Sequence, residues 1–207
     1  MCIRDSPNDL VTYSFLTNRN FQENVEAWIS FRKIPYWNRI KGEMFFLIKP
    51  IAKLIYQKEL KKEFPVAKNG KYYQNDTSND HKIRKPAPNA FKGQIYLLVG
   101  PRVASAGSLF GAMLASDKTT ITIGEETHGG YHGHNGHTPI RYQLKHSKIK
   151  TSWFLVNLKQ DVSNKPNQAY GYGIIPDYRV VQSHQDFLKN EDTVMKFTLD
   201  MIEGTKN

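Results

Sequence analysis

Two groups of residues could do chemistry. The first is a single serine. The stretch IYLLVGPRVASAGSLFGAML, Ile95 to Leu114, begins as a continuous apolar run and ends as a helical pattern, with Ser105 at the seam. A serine nucleophile needs an exposed hydroxyl, a base, and donors for the oxyanion that develops on the attacked carbonyl. A tight strand-to-helix turn supplies two of these. It lifts the side chain above the sheet end, and the free N–H groups of the helix start face the reacting carbonyl. Gly100 and Pro101 make the turn, Ala104, Ala106 and Gly107 leave room around Ser105, and the Ala106 N–H is the expected oxyanion donor. The competing role is structural, since a serine directly before a helix is a common N-cap. On local sequence alone the cap is favoured, and VASAG lacks the first glycine of a G-x-S-x-G nucleophile elbow.

The second group is HGGYHGHNGH, which holds His128, His132, His134 and His137. Imidazoles are good zinc or copper ligands. The spacing is not that of a helical H-E-x-x-H, however, and the glycines forbid a helix. Loop histidines without a fixed role rank first, substrate-groove contacts second, a metal site third and a substitute general base fourth. No metal and no cofactor is expected. The one cysteine, Cys2, allows neither an internal disulfide nor a cysteine zinc site.

The elements around these residues follow from periodicity. Residues 94–99 have the length and apolarity of a strand covered on both faces. Residues 105–115 form a helix with Leu109, Phe110, Met113 and Leu114 inward, and 119–124 form a second strand, so the three make a βαβ unit with a parallel pair. Residues 138–144 and 149–156 alternate around KHSK as a hairpin. A glycine-marked turn, a proline and a short strand follow at 170–181. A last helix at 190–203 turns Val194, Phe197, Met201 and Ile202 inward, with Glu191 and Asp192 in its first turn. Upstream, a helix starts at Asn8 or Asp9, the aromatic stretch 17–41 is broken by Pro35, and 66–90 is a long loop or insertion with no domain boundary in it. Residues 43–62 read as a helix that Pro50 kinks or restarts. Its stripe Met44, Ile48, Ile51, Ile55 is expected to pack on the core rather than lie on a membrane surface. The fold class is α/β, a parallel core sheet with an attached antiparallel hairpin.

Composition narrows the partners. The chain has 207 residues, enough for one sizeable core, and a net charge of +10. The charge favours acidic partners, but no nucleic-acid motif accompanies it, so no nucleic acid is expected. The most apolar segment, MFFLIKPIAKLIY, is too short and too charged to span a membrane. MCIRDS is not a signal peptide, and residues 1–6 are expected not to be native.

Three segments in order carry a resemblance: VASAGSLFGAMLAS (103–116), TIGEETHGGYHG (122–133) and GYGIIPDYRV (171–180). Together they resemble the C-terminal processing (tail-specific) protease family of serine peptidases, including its tricorn-like branch. The family shows a small-Ser-Ala-small turn, then Gly-Glu-x-Thr-x-Gly, then Gly-Ile-x-Pro-Asp. The resemblance implies a spiral crotonase- and Clp-protease-like fold, N-terminally truncated here. It implies peptide-bond hydrolysis through an acyl-enzyme, with Ser105 as nucleophile and the Ala106 N–H in the oxyanion hole. Gly129, Gly130 and His132 become substrate-groove candidates. Residues 7–90 then form a helical and aromatic cap with an insertion, in which the Trp28–Trp37 region is a small cap on the core, and 91–207 form the catalytic core. The tail-specific base, a lysine, is replaced by Gly130. The tricorn-like base is a histidine upstream of the serine, and its acid partner's place is held by Tyr170. The implied partner is a protein or peptide substrate, without an integral membrane segment, in the periplasm or cell envelope. The oligomeric state stays open. The alternative is a non-catalytic peptide- or glycan-binding relative of the same fold.

Overall fold

The computed structural model describes residues 13–32, 49–144 and 146–204. The elements are β1 (Asn24–Ile29), α1 (Lys49–Glu63), β2 (Val66–Lys68), β3 (Lys71–Tyr73), β4 (Ile95–Val99), α2 (Ala106–Ala115), β5 (Thr120–Gly124), β6 (Gly133–Gln143), β7 (Lys150–Gln160), β8 (Tyr178–Arg179), α3 (His184–Leu188) and α4 (Thr193–Ile202). The fold is mixed α/β, with one parallel and one antiparallel sheet. The chain divides into two compact units that interleave along the sequence. One holds 1–23, 83–134 and 160–207, the other 24–82 and 135–159. A boundary therefore falls at 82/83, inside the stretch read as boundary-free.

The first unit is built on the predicted βαβ. β4 and β5 run parallel with Ile95 opposite Thr120 and Val99 opposite Gly124, and β8 adds in parallel beside β5. Helix α2 buries Ala112 and Ala115 against Val99, Tyr131 and Ile174. Its Met113 and Leu114 pack with Tyr13 and Phe21, whose rings meet edge to face at 4.6 Å. Tyr13, on a helical turn at 13–16, also donates its hydroxyl hydrogen bond to the Met113 carbonyl at 3.0 Å. The predicted cap residues Asn8 and Asp9 lie outside the described residues. β4 is less deeply buried than its composition suggested. Ile95 to Leu98 are half-buried and Val99 is buried, and among the described residues β4 pairs along one edge alone. In the last helix Ile202 is exposed rather than inward, and Thr198 is its buried residue.

The second unit is a sheet in the order β2-β3-β1-β7-β6, with α1 beside it. Ala27, Ile29, Leu60, Phe64, Ile140, Leu155, Val156 and Leu158 form its core. Three expectations fail here. Residues 66–73 are not a loop but a hairpin, turned by Asn69 (φ 50) and Gly70 (φ 73). That is the two-residue turn that Asn-Gly favours. Its strands are three residues long and rich in lysine, so they show no apolar alternation. Trp28 lies not on a cap but in β1, opposite Tyr73, with the Lys71 ammonium 4.6 Å from the centre of its ring; Trp37 lies outside the described residues. Finally, α1 buries Leu60 but leaves Ile51 and Ile55, two of its predicted core stripe, 57% and 54% exposed.

Candidate active site

The chain leaves β4 at Val99 and turns through residues 100–104, where the Val103 N–H donates to the Gly100 carbonyl at 3.0 Å. Ser105 follows, exposed, at the N-cap position of α2 with φ 55 and ψ −132. This is not the geometry of a cap. Ser183 and Asp192, the N-caps of α3 and α4, have extended backbones, and their side chains accept N–H bonds from the first turn. Ser105 has a left-handed φ, and its side chain makes no capping bond. A non-glycine residue held in such a region stores about 1–3 kcal/mol. The local cap reading is therefore overturned.

The Ser105 carbonyl is tied down. It accepts from the N–H groups of Ser108 and Leu109, both at 3.0 Å, and from the Ser108 hydroxyl at 2.8 Å. In a planar trans peptide, N–H and C=O point opposite ways. Three donors on this carbonyl therefore aim the Ala106 N–H outward, away from the helix. Ala106 and Gly107 are in the first turn, where the helix offers their N–H groups no acceptor.

The glycine loop after β5 abuts this turn. The Gly129 N–H donates to the Val103 carbonyl at 3.0 Å. A Cβ on Gly129 would overlap the Ser108 side chain and lie 3.1 Å from the Ala104 Cα. Gly130 bridges Gly173 antiparallel, and the Tyr131 N–H donates to the Tyr172 carbonyl at 3.0 Å. Thr127 joins the two segments from inside. Its buried hydroxyl donates to the Gly129 carbonyl at 2.8 Å and accepts from the Ile174 N–H at 2.7 Å. Glu126 accepts the Gly173 N–H at 2.9 Å. The buried Gln168 amide donates to the Gly173 carbonyl at 2.7 Å and accepts from the Ile175 N–H at 3.0 Å.

His132 has a fixed role, contrary to the ranking drawn from its loop. Its Nε2 lies 2.8 Å from the Gln168 carbonyl, which places the ring proton on Nε2. The ring stacks on Tyr170 at 6.4 Å and meets Tyr131 edge-on at 5.0 Å. His128 is exposed, and the side chain of His137 lies outside the described ones. Among the described residues, no three His, Cys, Asp or Glu side chains converge as a metal site.

Residues 51–180, more than half of the chain, match the family described as Peptidase family S41. The chain belongs to peptidase family S41. Its fold is similar to a crystal structure described as a "putative peptidase" from Parabacteroides merdae, at 14% identity and a TM-score of 0.50. That match covers 93% of this chain and 46% of the other, so the S41 chain spans about half the length of its structural relative. Among curated proteins, none matches the chain.

Four residues of this candidate site escape a reading of sequence: Ser108, Glu126, Gln168 and Tyr172. Ser108 left one trace, a small hydroxyl three positions after Ser105 in the first turn of an apolar helix. Asp177 closes the far end of the 168–177 segment. Its carboxylate accepts the Thr122 N–H and hydroxyl, both at 2.8 Å, and the Lys165 ammonium lies 3.3 Å away. Burial pushes this carboxyl up, but the Thr122 bonds and the Lys165 charge outweigh it and hold the group below the ordinary aspartate range. A depressed carboxyl contributes stability that is present above the unfolded value and lost as pH falls through the folded one. Urea unfolding of Asp177→Asn should therefore depend less steeply on pH below about 4 than the wild type does. An identical acid limb in the two proteins would show that this pair contributes nothing.

Proposed function

We propose that the chain is the C-terminal part of a serine peptidase catalytic domain, of the tail-specific type and its tricorn-like branch, acting on proteins or peptides. The supporting observation is the backbone of Ser105, strained, exposed and unused as a cap at the strand-to-helix turn. The Ser105 hydroxyl attacks the substrate carbonyl and gives its proton to a general base. The carbonyl oxygen becomes an oxyanion facing the Ala106 N–H. The C–N bond then breaks, the amine takes the proton from the base, and water hydrolyses the acyl-enzyme. Gly129 and Gly130 line the substrate side of the turn. Gly130 stands where the tail-specific lysine would be. Among the described residues no imidazole, amine or carboxylate bonds the Ser105 hydroxyl, and the base is read as a histidine upstream of the chain. The half-length match to the structural relative supports this reading. The periplasm or cell envelope is the proposed compartment.

The test is labelling by a fluorophosphonate probe. The longer protein should label and its Ser105→Ala variant should not, while the 207-residue chain alone should stay unlabelled. Equal labelling of the alanine variant would overturn the assignment. A longer protein that binds peptides but never labels would instead support the non-catalytic reading, which Tyr170 in the acid's place favours.

A further inference from the structure

The net charge of +10 is not spread over the molecule. The unit formed by 24–82 and 135–159 carries 17 Lys and Arg against 6 Asp and Glu, a net +11, while the rest of the chain carries 12 against 13. Helix α1 belongs to the basic unit. At 100° per residue its Ile51, Leu54, Ile55, Lys58, Lys61 and Lys62 fall within an arc of about 120°. Leu60 and Tyr56, which pack on the sheet, lie on the opposite side. All six residues of the arc are exposed, the three apolar ones at 57%, 65% and 54%. One face thus presents aliphatic side chains over its first half and ammonium groups over its second. On the β6–β7 hairpin of the same unit, Ile149 and Trp153 are each 60% exposed, with Lys148 and Lys150 beside Ile149.

We propose that this face of α1 docks on a membrane surface containing anionic phospholipid. Both halves of the face then find a partner: the aliphatic groups enter the headgroup–acyl boundary, and the lysines meet phosphate. A nucleic acid would satisfy the lysines but give Ile51, Leu54 and Ile55 no apolar partner. No described helix is long and apolar enough to cross a bilayer.

Cosedimentation of the full chain with vesicles tests this. Vesicles of phosphatidylcholine with about 30% phosphatidylglycerol should bind, vesicles of phosphatidylcholine alone should not, and binding should weaken from about 0.05 to 0.5 M salt. Lys58→Glu/Lys61→Glu/Lys62→Glu should weaken partition about a hundredfold. Ile51→Ser/Leu54→Ser/Ile55→Ser should weaken it about tenfold or more. All six side chains are exposed, so both variants should keep the wild-type circular dichroism. No partition into anionic vesicles at low salt overturns the proposal, as does partition that the serine variant leaves unchanged. Tighter binding to a duplex oligonucleotide than to the vesicles would make the face a nucleic-acid surface and overturn it equally.

Discussion

Ser105→Ala is expected to lower peptide hydrolysis by the complete protein about 10⁶-fold, the scale of removing a serine nucleophile, while leaving the stability of the fold unchanged. The two halves of this result rest on one geometry. Ser105 makes no capping bond, so removing its hydroxyl costs α2 nothing. A true N-cap would lose about 1 kcal/mol on the same change. Ser105→Gly should go further and stabilise the chain. Its φ of 55 is open to glycine but strained for serine. Relief of about 1–3 kcal/mol, less about 0.5–1 kcal/mol for the freer unfolded chain, leaves a gain of roughly 1 kcal/mol. For a chain of this size that raises the midpoint of thermal unfolding by about 2–4 °C. Thermal melts of the three proteins decide the matter. If both variants melt lower by the amount a lost cap predicts, the serine is structural and its assignment as nucleophile falls.

The parallel pair around Ser105 was legible because an apolar strand and an apolar helix leave long hydrophobic runs. Ile95–Val99 and Ala106–Ala115 needed no tertiary information. The role of Ser105 was not legible locally. A cap and a nucleophile turn place the same residue type at the same helix position, and they differ in a dihedral angle that composition does not carry. Only the later GEETHGG and GIIPD segments tilted the reading towards a nucleophile. The loop locks were invisible for another reason. Gln168 acts by presenting an amide to Gly173 and Ile175, and nothing in NKPNQAYG marks that side chain as buried. In the basic unit, short strands such as Val66–Lys68 gain their order from pairing with β3, not from their own apolarity. The α1 stripe misled for the converse reason. Helical spacing shows which residues share a face, but what covers that face is a matter of tertiary structure.

Gly129→Ala is expected to damage the site as severely as a change outside the reacting groups can. The added methyl would overlap the Ser108 side chain, and the Ala104 Cα 3.1 Å away leaves no path around it. Ser108 is fully buried, so it cannot swing aside into solvent. Either the 128–130 loop withdraws or Ser108 moves. Withdrawal breaks the Gly129 N–H bond to Val103 and strains the Thr127 bonds to Gly129 and Ile174. Movement of Ser108 removes a donor from the Ser105 carbonyl and lets the Ala106 N–H tilt. Overpacking of this kind costs about 1–3 kcal/mol, and a displacement near 1 Å of a positioned group costs about 10²-fold in rate. Ser108→Ala separates the two effects. It removes the hydroxyl donor without forcing the loop, so it should slow serine-probe labelling of the complete protein while lowering the melting temperature less than Gly129→Ala does. In a Gly129→Ala/Ser108→Gly double variant, which removes both the Oγ and the Cβ that the added methyl would overlap, the stability loss should be smaller than the sum of the two single losses. If the two losses simply add, the clash is not with Ser108, and the loop does not hold the nucleophile turn in the way described.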